Sequence, residues 1–250
     1  MKILSWNVNG LRSIINNGGF KVILEMNYDL ICLQEVKIND DFDLRSIVPL
    51  EYFIVTNYSQ AKGRNGVVVL TKLKPVDVFY CINHIRLDNE GRFLYIEFDN
   101  FNLINLYMPH GKRDKSDISY KLEVSKYLLG FCEANKKDLI ITTDFNIAHT
   151  EIDVDRYKDN FENTMFSIKE RAVVDEMLKI NMIDSYRYFN SSQRKYSWWT
   201  YAFNARERNM GWRIDYIFVS SDLLKYIIRA ELLNDIYGSD HCPTELVINI

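Results

Sequence analysis

The stretch Leu139-Ile-Ile-Thr-Thr-Asp144-Phe-Asn146-Ile-Ala-His149 decides how this chain folds and where its chemistry lies. Residues 139–143 are apolar or β-branched and too few for a helix, so they read as a buried strand. The strand ends abruptly in a carboxylate and, two residues on, a carboxamide. Side chains two apart on extended backbone project to one side, so Asp144 and Asn146 are expected to face one small object together. An aspartate that takes a proton from water, beside an amide that orients that water, suits hydrolysis. An Asx-turn at a strand end is the competing reading of the same residues.

Outward from this stretch the pattern recurs. Residues 2–6 alternate as a strand that stops at Asn7-Val-Asn9-Gly10, and residues 29–34 form an apolar strand ending in Glu35. Residues 51–57, 65–71, 76–82, 93–98 and 101–107 read as further strands, the last two joined as a hairpin across Asp99-Asn100. The hairpin's second strand runs into Tyr107-Met-Pro-His110-Gly111. Helices are expected over 11–15, 20–26 and 119–134, and after Ser167-Ile-Lys-Glu170, a capping-box pattern. Residues 196–201, 213–219 and 244–249 are expected as closing strands. Asp215 lies in the second of these, and Gly238-Ser-Asp240-His241-Cys-Pro243 precedes the third. Many short strands with a few helices, in two runs of similar rhythm, imply two packed sheets with helices on their outer faces.

Composition narrows the classes. Hydrophobic residues make up 47% and charged residues 26% of 250, which describes a globular protein with ample core. Ten glycines, four prolines and no low-complexity stretch leave no linker, so one domain is expected over 1–250. A net charge of −3 argues against binding nucleic acid by bulk charge. It leaves room for local basic patches and for a divalent cation among clustered carboxylates. Cys32, Cys81, Cys132 and Cys242 are widely spaced, which excludes a disulfide scaffold and a zinc knuckle; Cys32 and Cys132 read as small core residues. With no apolar leader and no membrane-length apolar run, the expectation is an intracellular, cytoplasmic protein that works as a monomer away from membranes.

Polar groups thus stand at five strand ends: Asn7, Glu35, Tyr107, Asp144 with Asn146, and Asp215. Asp240-His241 lies in a sixth cluster. Carboxylate and amide oxygens are hard ligands that suit Mg²⁺ or Mn²⁺ better than zinc, and the four histidines lack zinc-site spacing. His241, with Asp215 available, is expected as a cation or polarised donor. A metal, an activated water and donors facing developing charge are the parts phosphoryl transfer needs.

The motif set resembles the exonuclease III family of abasic-site endonucleases, within the endonuclease/exonuclease/phosphatase superfamily. The resemblance rests on nine stretches in family order: Ser5-Trp-Asn7-Val-Asn9-Gly-Leu-Arg12, Leu33-Gln-Glu35-Val-Lys37, Glu90-Gly-Arg92, Tyr107-Met-Pro109, Asp144 to Asp153, Trp199-Thr-Tyr201, Asn204-Ala-Arg206, Gly211 to Tyr216, and Ser239 to Pro243. It implies a four-layer αββα sandwich of two mainly antiparallel sheets, with the site at one edge of both. It also implies a Mg²⁺-dependent enzyme, with Mn²⁺ as a substitute, that cuts double-stranded DNA 5′ to abasic sites and leaves a 3′-hydroxyl. Activity on blocked 3′ ends, or 3′→5′ exonuclease activity, accompanies it.

Carried across, the resemblance makes Glu35 the main metal ligand, with Asn7 beside it and Asp240 contributing. Asp144 aligns or deprotonates the water, Asn146 holds the phosphate or that water, and His241 paired with Asp215 donates to a phosphate oxygen. Tyr107 contacts the phosphate or assists the leaving group. Trp198, Trp212 and Ile214 wall a pocket for an extruded sugar, or else are core. Arg12, Asn163, Arg206 and His110 face the DNA, with Lys62, Arg64, Lys112, Arg113 and Arg208 as further backbone contacts. Thr143 and Met165 stand where the family has glycine, His110 where it has Asn or Gln, and Arg64-Asn65 where it has an aromatic-Ser pair. These departures bear on substrate choice rather than reaction type. A lipid- or inositol-phosphate hydrolase of the same superfamily, and a catalytically weak DNA-binding relative, are the alternatives.

Overall fold

The computed structural model describes residues 1–135 and 137–250. In chain order, β1 (Lys2–Asn7) is followed by α1 (Leu11–Asn16), α2 (Gly19–Glu25), β2 (Leu30–Gln34), β3 (Phe53–Asn57), β4 (Val67–Thr71) and β5 (Asp77–Phe79). Next come α3 (Ile85–Asn89), β6 (Phe93–Glu97), β7 (Asn102–Tyr107), α4 (Ile118–Ala134) and β8 (Leu139–Asp144). The chain closes with α5 (Tyr157–Asn160), α6 (Ile168–Lys179), β9 (Met182–Asp184), α7 (Ser185–Phe189), β10 (Asp215–Ser220), β11 (Ile227–Leu232) and β12 (Thr244–Ile248). Two six-stranded sheets result, ordered β11-β12-β1-β2-β4-β3 and β5-β6-β7-β8-β10-β9. Each has one parallel pair, β1 with β2 and β7 with β8, and is otherwise antiparallel.

Alternation along the strands builds the layers. Ile3, Cys32, Val67 and Val69 of the first sheet meet Leu94, Ile96, Leu103, Ile140 and Val219 of the second in one buried cluster. The opposite faces carry Leu4, Trp6, Ile31 and Leu33, which pack under α1 and α2, and Ile104, Leu106, Ile141 and Phe218, which pack under α4 and α6. Each side chain fully buried this way contributes about 1.5–3 kcal/mol. Helix, sheet, sheet and helix stack in that order, as expected. Cys32 and Cys132 are both core residues. No described helix is long and apolar enough to cross a membrane.

Strand direction gathers the site. The parallel registers Asn7↔Gln34 and Tyr107↔Asp144 bring the C-terminal ends of β1, β2, β7 and β8 to one end of the sandwich. The antiparallel registers Asp215↔Asp144 and Ser5↔Thr244 bring the starts of β10 and β12 to the same end. The 93–107 hairpin forms around Asp99-Asn100, closed by the Phe98 N–H donating to the Phe101 carbonyl at 3.0 Å. Ser167 and Glu170 make the capping box that opens α6.

The expected strand over 196–201 does not form. Only Trp198 makes isolated bridges, to Trp212 and His241. Both edges of β10 are already taken, by β8 and β9, so this aromatic segment cannot pair with that strand. Conversely β9 and β11, both at sheet edges, escaped the sequence reading. β9 is three residues long, and β11 carries the exposed Ile228 and Arg229 outward, which blurs a period of two.

Candidate active site

Asp144 is 1% exposed at the end of β8. Asn7, at the end of β1 in the other sheet, donates from Nδ2 to Asp144 Oδ2 at 2.7 Å and to Glu35 Oε2 at 3.0 Å. One amide therefore ties the two acids across the sheet interface. The Asn146 N–H donates to Asp144 Oδ1 at 3.0 Å, and its Nδ2 to Asp144 Oδ2 at 3.3 Å and the Met108 carbonyl at 2.9 Å. Asn146 has φ +53°, so extended alternation does not bring the pair together. A left-handed turn does, and the Asx-turn and the shared orientation are both present. Asparagine tolerates this conformation because its side chain can bond locally.

Across the β8–β10 register, Asp215 Oδ2 lies 2.9 Å from His241 Nδ1, and His241 Nε2 lies 3.9 Å from Asp144 Oδ2. All three residues are buried. Burial disfavours an imidazolium, but the Asp215 carboxylate outweighs it and raises the His241 pKa to about 10. Burial, and then the Asp215 charge, push Asp144 up to about 7, with His241 and Asn7 opposing. A charged donor and a carboxylate poised near neutrality thus stand side by side. Among the described residues, Asp215 Oδ1 has no hydrogen-bond partner.

Glu35 has φ +53° just past β2, a conformation that branched and bulky residues adopt only when their surroundings hold them there. Its Oε1 lies 3.0 Å from Lys37 Nζ, which also donates to Asn9 Oδ1 at 2.5 Å. Asn9 Nδ2 in turn donates to Asp240 Oδ1 at 2.9 Å. Glu35 and Asn9 oxygens thus already converge on one cation, the lysine ammonium, beside Asn7 and Asp240. That oxygen set fits a hard divalent ion. Asp144, Asp215 and His241 also have ligand atoms within 4.8 Å of one another. Within that trio the His241 Nδ1 and Asp215 Oδ2 atoms already bond each other.

Tyr107 ends β7 and is 8% exposed. Burial and the Glu35 charge raise its phenol well above the usual range, while the Arg92 guanidinium, 4.4 Å from the ring centroid, opposes this. Arg92 also donates to Glu90, the Tyr107 carbonyl and Asn65. Gly91 between them has φ +60°, and a Cβ there would meet the Tyr58 backbone at 2.3 Å, so only glycine allows this turn.

Beside these groups runs a groove of about 700 Å³. Trp198, Trp212, His110, Arg113, Asn163, Met165 and Phe203 are among its lining residues. The Trp198 Nε1–H donates to Asp240 Oδ2 at 3.0 Å, so one wall is fixed to the Glu35–Asp240 cluster. Ile214 is 1% exposed and packs with Ala148, Val154 and Phe166, beneath the tryptophans rather than on the wall. Met165 has φ +75°, the conformation that glycine adopts freely.

Other expected DNA-facing residues fall elsewhere. Arg206 lies between the rings of Trp199 and Tyr237, and its terminal nitrogens donate to the carbonyls of Ser239, Asn234 and Ile236. It holds the loop that carries Asp240. Arg12 lies 4.7 Å from the Phe42 ring centroid on α1, outside the groove lining. Arg113 is the basic residue that does line the groove. The sequence reading gave no role to Asn9 or Arg92, although Asn9 stands two residues after Asn7 and Arg92 lies in the Glu90-Gly-Arg92 motif. It also missed the Gln34–Asn105 amide contact (2.7 Å) that joins the two sheets below the site.

Residues 4–241 match the endonuclease/exonuclease/phosphatase family model. The chain belongs to that family. It is 41% identical to a Bacillus subtilis exodeoxyribonuclease, over the whole length of both chains. It is 36% identical to a Dictyostelium discoideum DNA-(apurinic or apyrimidinic site) endonuclease, covering all of this chain and 71% of the other. Among solved structures, the 3′-5′ exonuclease from Neisseria meningitidis superposes with a TM-score of 0.92 at 26% identity, over all of both chains.

Proposed function

We propose that this chain is a Mg²⁺-dependent DNA-repair phosphodiesterase that cleaves the backbone of double-stranded DNA 5′ to abasic sites. The observation that carries this reading is the convergence of Asp144, His241–Asp215 and Glu35–Asn7 at one sandwich end, beside a groove walled by Trp198 and Trp212. The relatives named above act in the same chemical class. Removal of 3′ blocking groups and 3′→5′ trimming use the same bond cleavage and are expected alongside.

In this reading Asp144 takes the proton of the attacking water, and the Asn146 amide orients that water or the phosphate. The water oxygen bonds to phosphorus as the P–O3′ bond breaks, and the 3′ oxygen leaves and takes a proton from the Tyr107 phenol or from solvent to become a hydroxyl. His241, held charged by Asp215, donates to a non-bridging phosphate oxygen as negative charge accumulates. Tyr107 assists at the leaving oxygen. Glu35, Asn7 and Asp240 would hold a divalent ion, which would supply charge neutralisation at the phosphate.

The direct test is incision of a duplex with one abasic analogue, against intact and 3′-phosphate-blocked duplexes, in Mg²⁺ or EDTA. Internal incision confined to the abasic duplex, with release of the 3′-phosphate from the blocked one and both dependent on Mg²⁺, is the expected result. Hydrolysis of inositol phosphates with no DNA incision would overturn the reading. Glu35→Gln keeps the side chain's shape but removes its charge. It is expected to shift the Mg²⁺ requirement upward at least tenfold, with duplex affinity in EDTA unchanged; an unshifted Mg²⁺ titration would remove Glu35 as a ligand.

Substrate choice tests the groove. Extruding a nucleotide costs a few kcal/mol, less where the base is missing, and a tight apolar wall admits a bare sugar more readily than one carrying a base. Trp212→Ala is therefore expected to narrow the ratio of abasic to intact-duplex incision without altering metal dependence. Melting temperature and incision ratio are measured on one sample. An unchanged ratio in a folded variant places the selecting wall elsewhere.

A further inference from the structure

Lys121 and Glu170 form an ion pair with both side chains 0% exposed, Nζ to Oε1 2.6 Å. Nothing in the chemistry above uses either. Burying two charges is costly, and apolar residues of the same size often serve stability equally well, so the contacts the pair makes are informative. Lys121, on α4, also donates from Nζ to the Asn146 carbonyl at 2.6 Å and the His110 carbonyl at 3.3 Å. Its three ammonium donors therefore each have an acceptor. Glu170 Oε1 accepts the Met165 N–H at 2.9 Å as well. Its Oε2 accepts the Ser167 N–H at 3.2 Å and the Ser167 hydroxyl at 2.6 Å. The Met165 carbonyl in turn accepts the Ala148 N–H at 2.8 Å.

The pair thus joins three loops of different origin. One follows β7 and carries His110; one follows β8 and carries Asn146; one precedes α6 and carries Met165. His110 and Met165 line the groove, and Asn146 bonds Asp144. Asn146 and Met165 both have positive φ, which asparagine tolerates but which Met165 keeps only with support from its surroundings. Neutral Gln in place of Lys121 would offer two donors to three oxygens and no charge to offset Glu170.

From these contacts we infer that Lys121 and Glu170 are positioning residues, a buried ion pair that sets the Asn146 loop and the 163–167 groove wall relative to one another. Misplacement of a reacting group by about 1 Å lowers rate on the order of 10²-fold. The inference about rate rests on the DNA-incision reading; the inference about loop geometry does not.

The test uses the full chain with Lys121→Arg, Lys121→Gln and Glu170→Gln, assayed on the abasic duplex well below each variant's melting temperature. Lys121→Gln and Glu170→Gln are expected to lower kcat by about 10–100-fold with KM within about threefold, and Lys121→Arg to keep most of kcat. A role in stability alone predicts lower melting temperatures with kcat per folded molecule unchanged, and that result overturns the proposal. Amide exchange by mass spectrometry is run on the same proteins, with or without incision activity. Lost protection over 144–149 and 163–167, with residues 67–71 unaffected, supports the positioning role whatever the substrate. Unchanged protection in those loops sinks it. If either Gln variant fails to fold, exchange and kcat in the other decide. Wild-type protein that does not incise abasic DNA removes the incision reading and leaves the exchange result to judge the pair.

Discussion

Asp144→Asn is expected to lower turnover on an abasic duplex by about 10²–10⁴-fold, the range associated with a positioned general base, while duplex affinity stays within a few-fold. The substitution keeps the shape of the side chain, with one oxygen left to accept where Asp144 Oδ1 takes the Asn146 N–H and Oδ2 takes the Asn7 amide. What it removes is the carboxylate that ends β8, whose pKa burial and then the Asp215 charge raise above the usual range. A raised pKa makes it a better proton acceptor than an ordinary aspartate. Single-turnover incision with saturating enzyme isolates the chemical step from product release. Near-wild-type single-turnover rates would disqualify Asp144 as the base and move that role to the Asp215–His241 pair. Because the Asn variant also lowers the negative charge facing His241, its Mg²⁺ titration should be recorded in parallel. A large shift there would mean that Asp144 also contributes to holding the ion.

The second large effect concerns stability. Asp153→Asn is expected to destabilise the fold by about 3–5 kcal/mol, the range for removing one partner of a buried ion pair. For a chain of this size that lowers the melting temperature by about 6–20 °C. Asp153 Oδ1 accepts from Arg213 Nε at 2.6 Å and from Arg187 Nη2 at 2.5 Å, and Oδ2 accepts the Thr150 N–H and hydroxyl. Arg213 also donates to Asp184 Oδ2 at 2.8 Å and is fully buried. With Asn at 153, Arg213 keeps only the Asp184 carboxylate and the Arg187 guanidinium keeps only the Asn190 and Gln193 carbonyls.

The same network predicts acid sensitivity. Burial alone would raise the Asp153 pKa, but Arg213 and Arg187 outweigh it and hold the carboxyl far below its usual range. Its folded-state value is thus lower than its unfolded value of about 3.9. The stabilisation is fully present above about pH 4 and is lost as pH falls through the folded-state value. Melting temperatures from pH 7 down to 2 should therefore converge for wild type and Asp153→Asn at the acid end. Parallel curves across that range, or an unchanged melting temperature at pH 7, would contradict the assignment.

The Arg213 network bears on the site as well as on stability. Arg213 precedes Ile214 and Asp215, and its backbone N–H donates to the Asp153 carbonyl at 2.8 Å. The Asp153 loop therefore fixes the entry to β10, from which Asp215 reaches His241. Gly211, just before Trp212, adds a steric condition: a Cβ there would stand 2.4 Å from Trp199 Nε1, so the groove wall can pass the neighbouring indole only as glycine.

The amino-acid sequence by itself determined the strands that are buried on both faces. Residues 139–143, 67–71 and 30–33 are continuous apolar or β-branched runs, and such runs read as strands whatever surrounds them. It also placed a polar group at the end of each site-bearing strand, since an abrupt change from apolar to carboxylate or amide is a local signal. Local capping chemistry at Ser167 and Glu170 and the Asp99-Asn100 turn were legible for the same reason.

Contacts between residues distant in sequence were decided only by the tertiary structure. Asn7 reaches Asp144 across 137 positions, and Lys121 reaches Glu170 across 49, because strand register and helix packing bring them together. No local pattern announces that a lysine at 121, in a helix of mixed polarity, will be fully buried. Nor does one announce that Arg206 will turn its donors to the 234–239 loop instead of to a phosphate. The sequence carries each side chain's chemistry; which partner satisfies it is set by the fold, since burying a charge or a backbone polar group without a partner is too costly to persist.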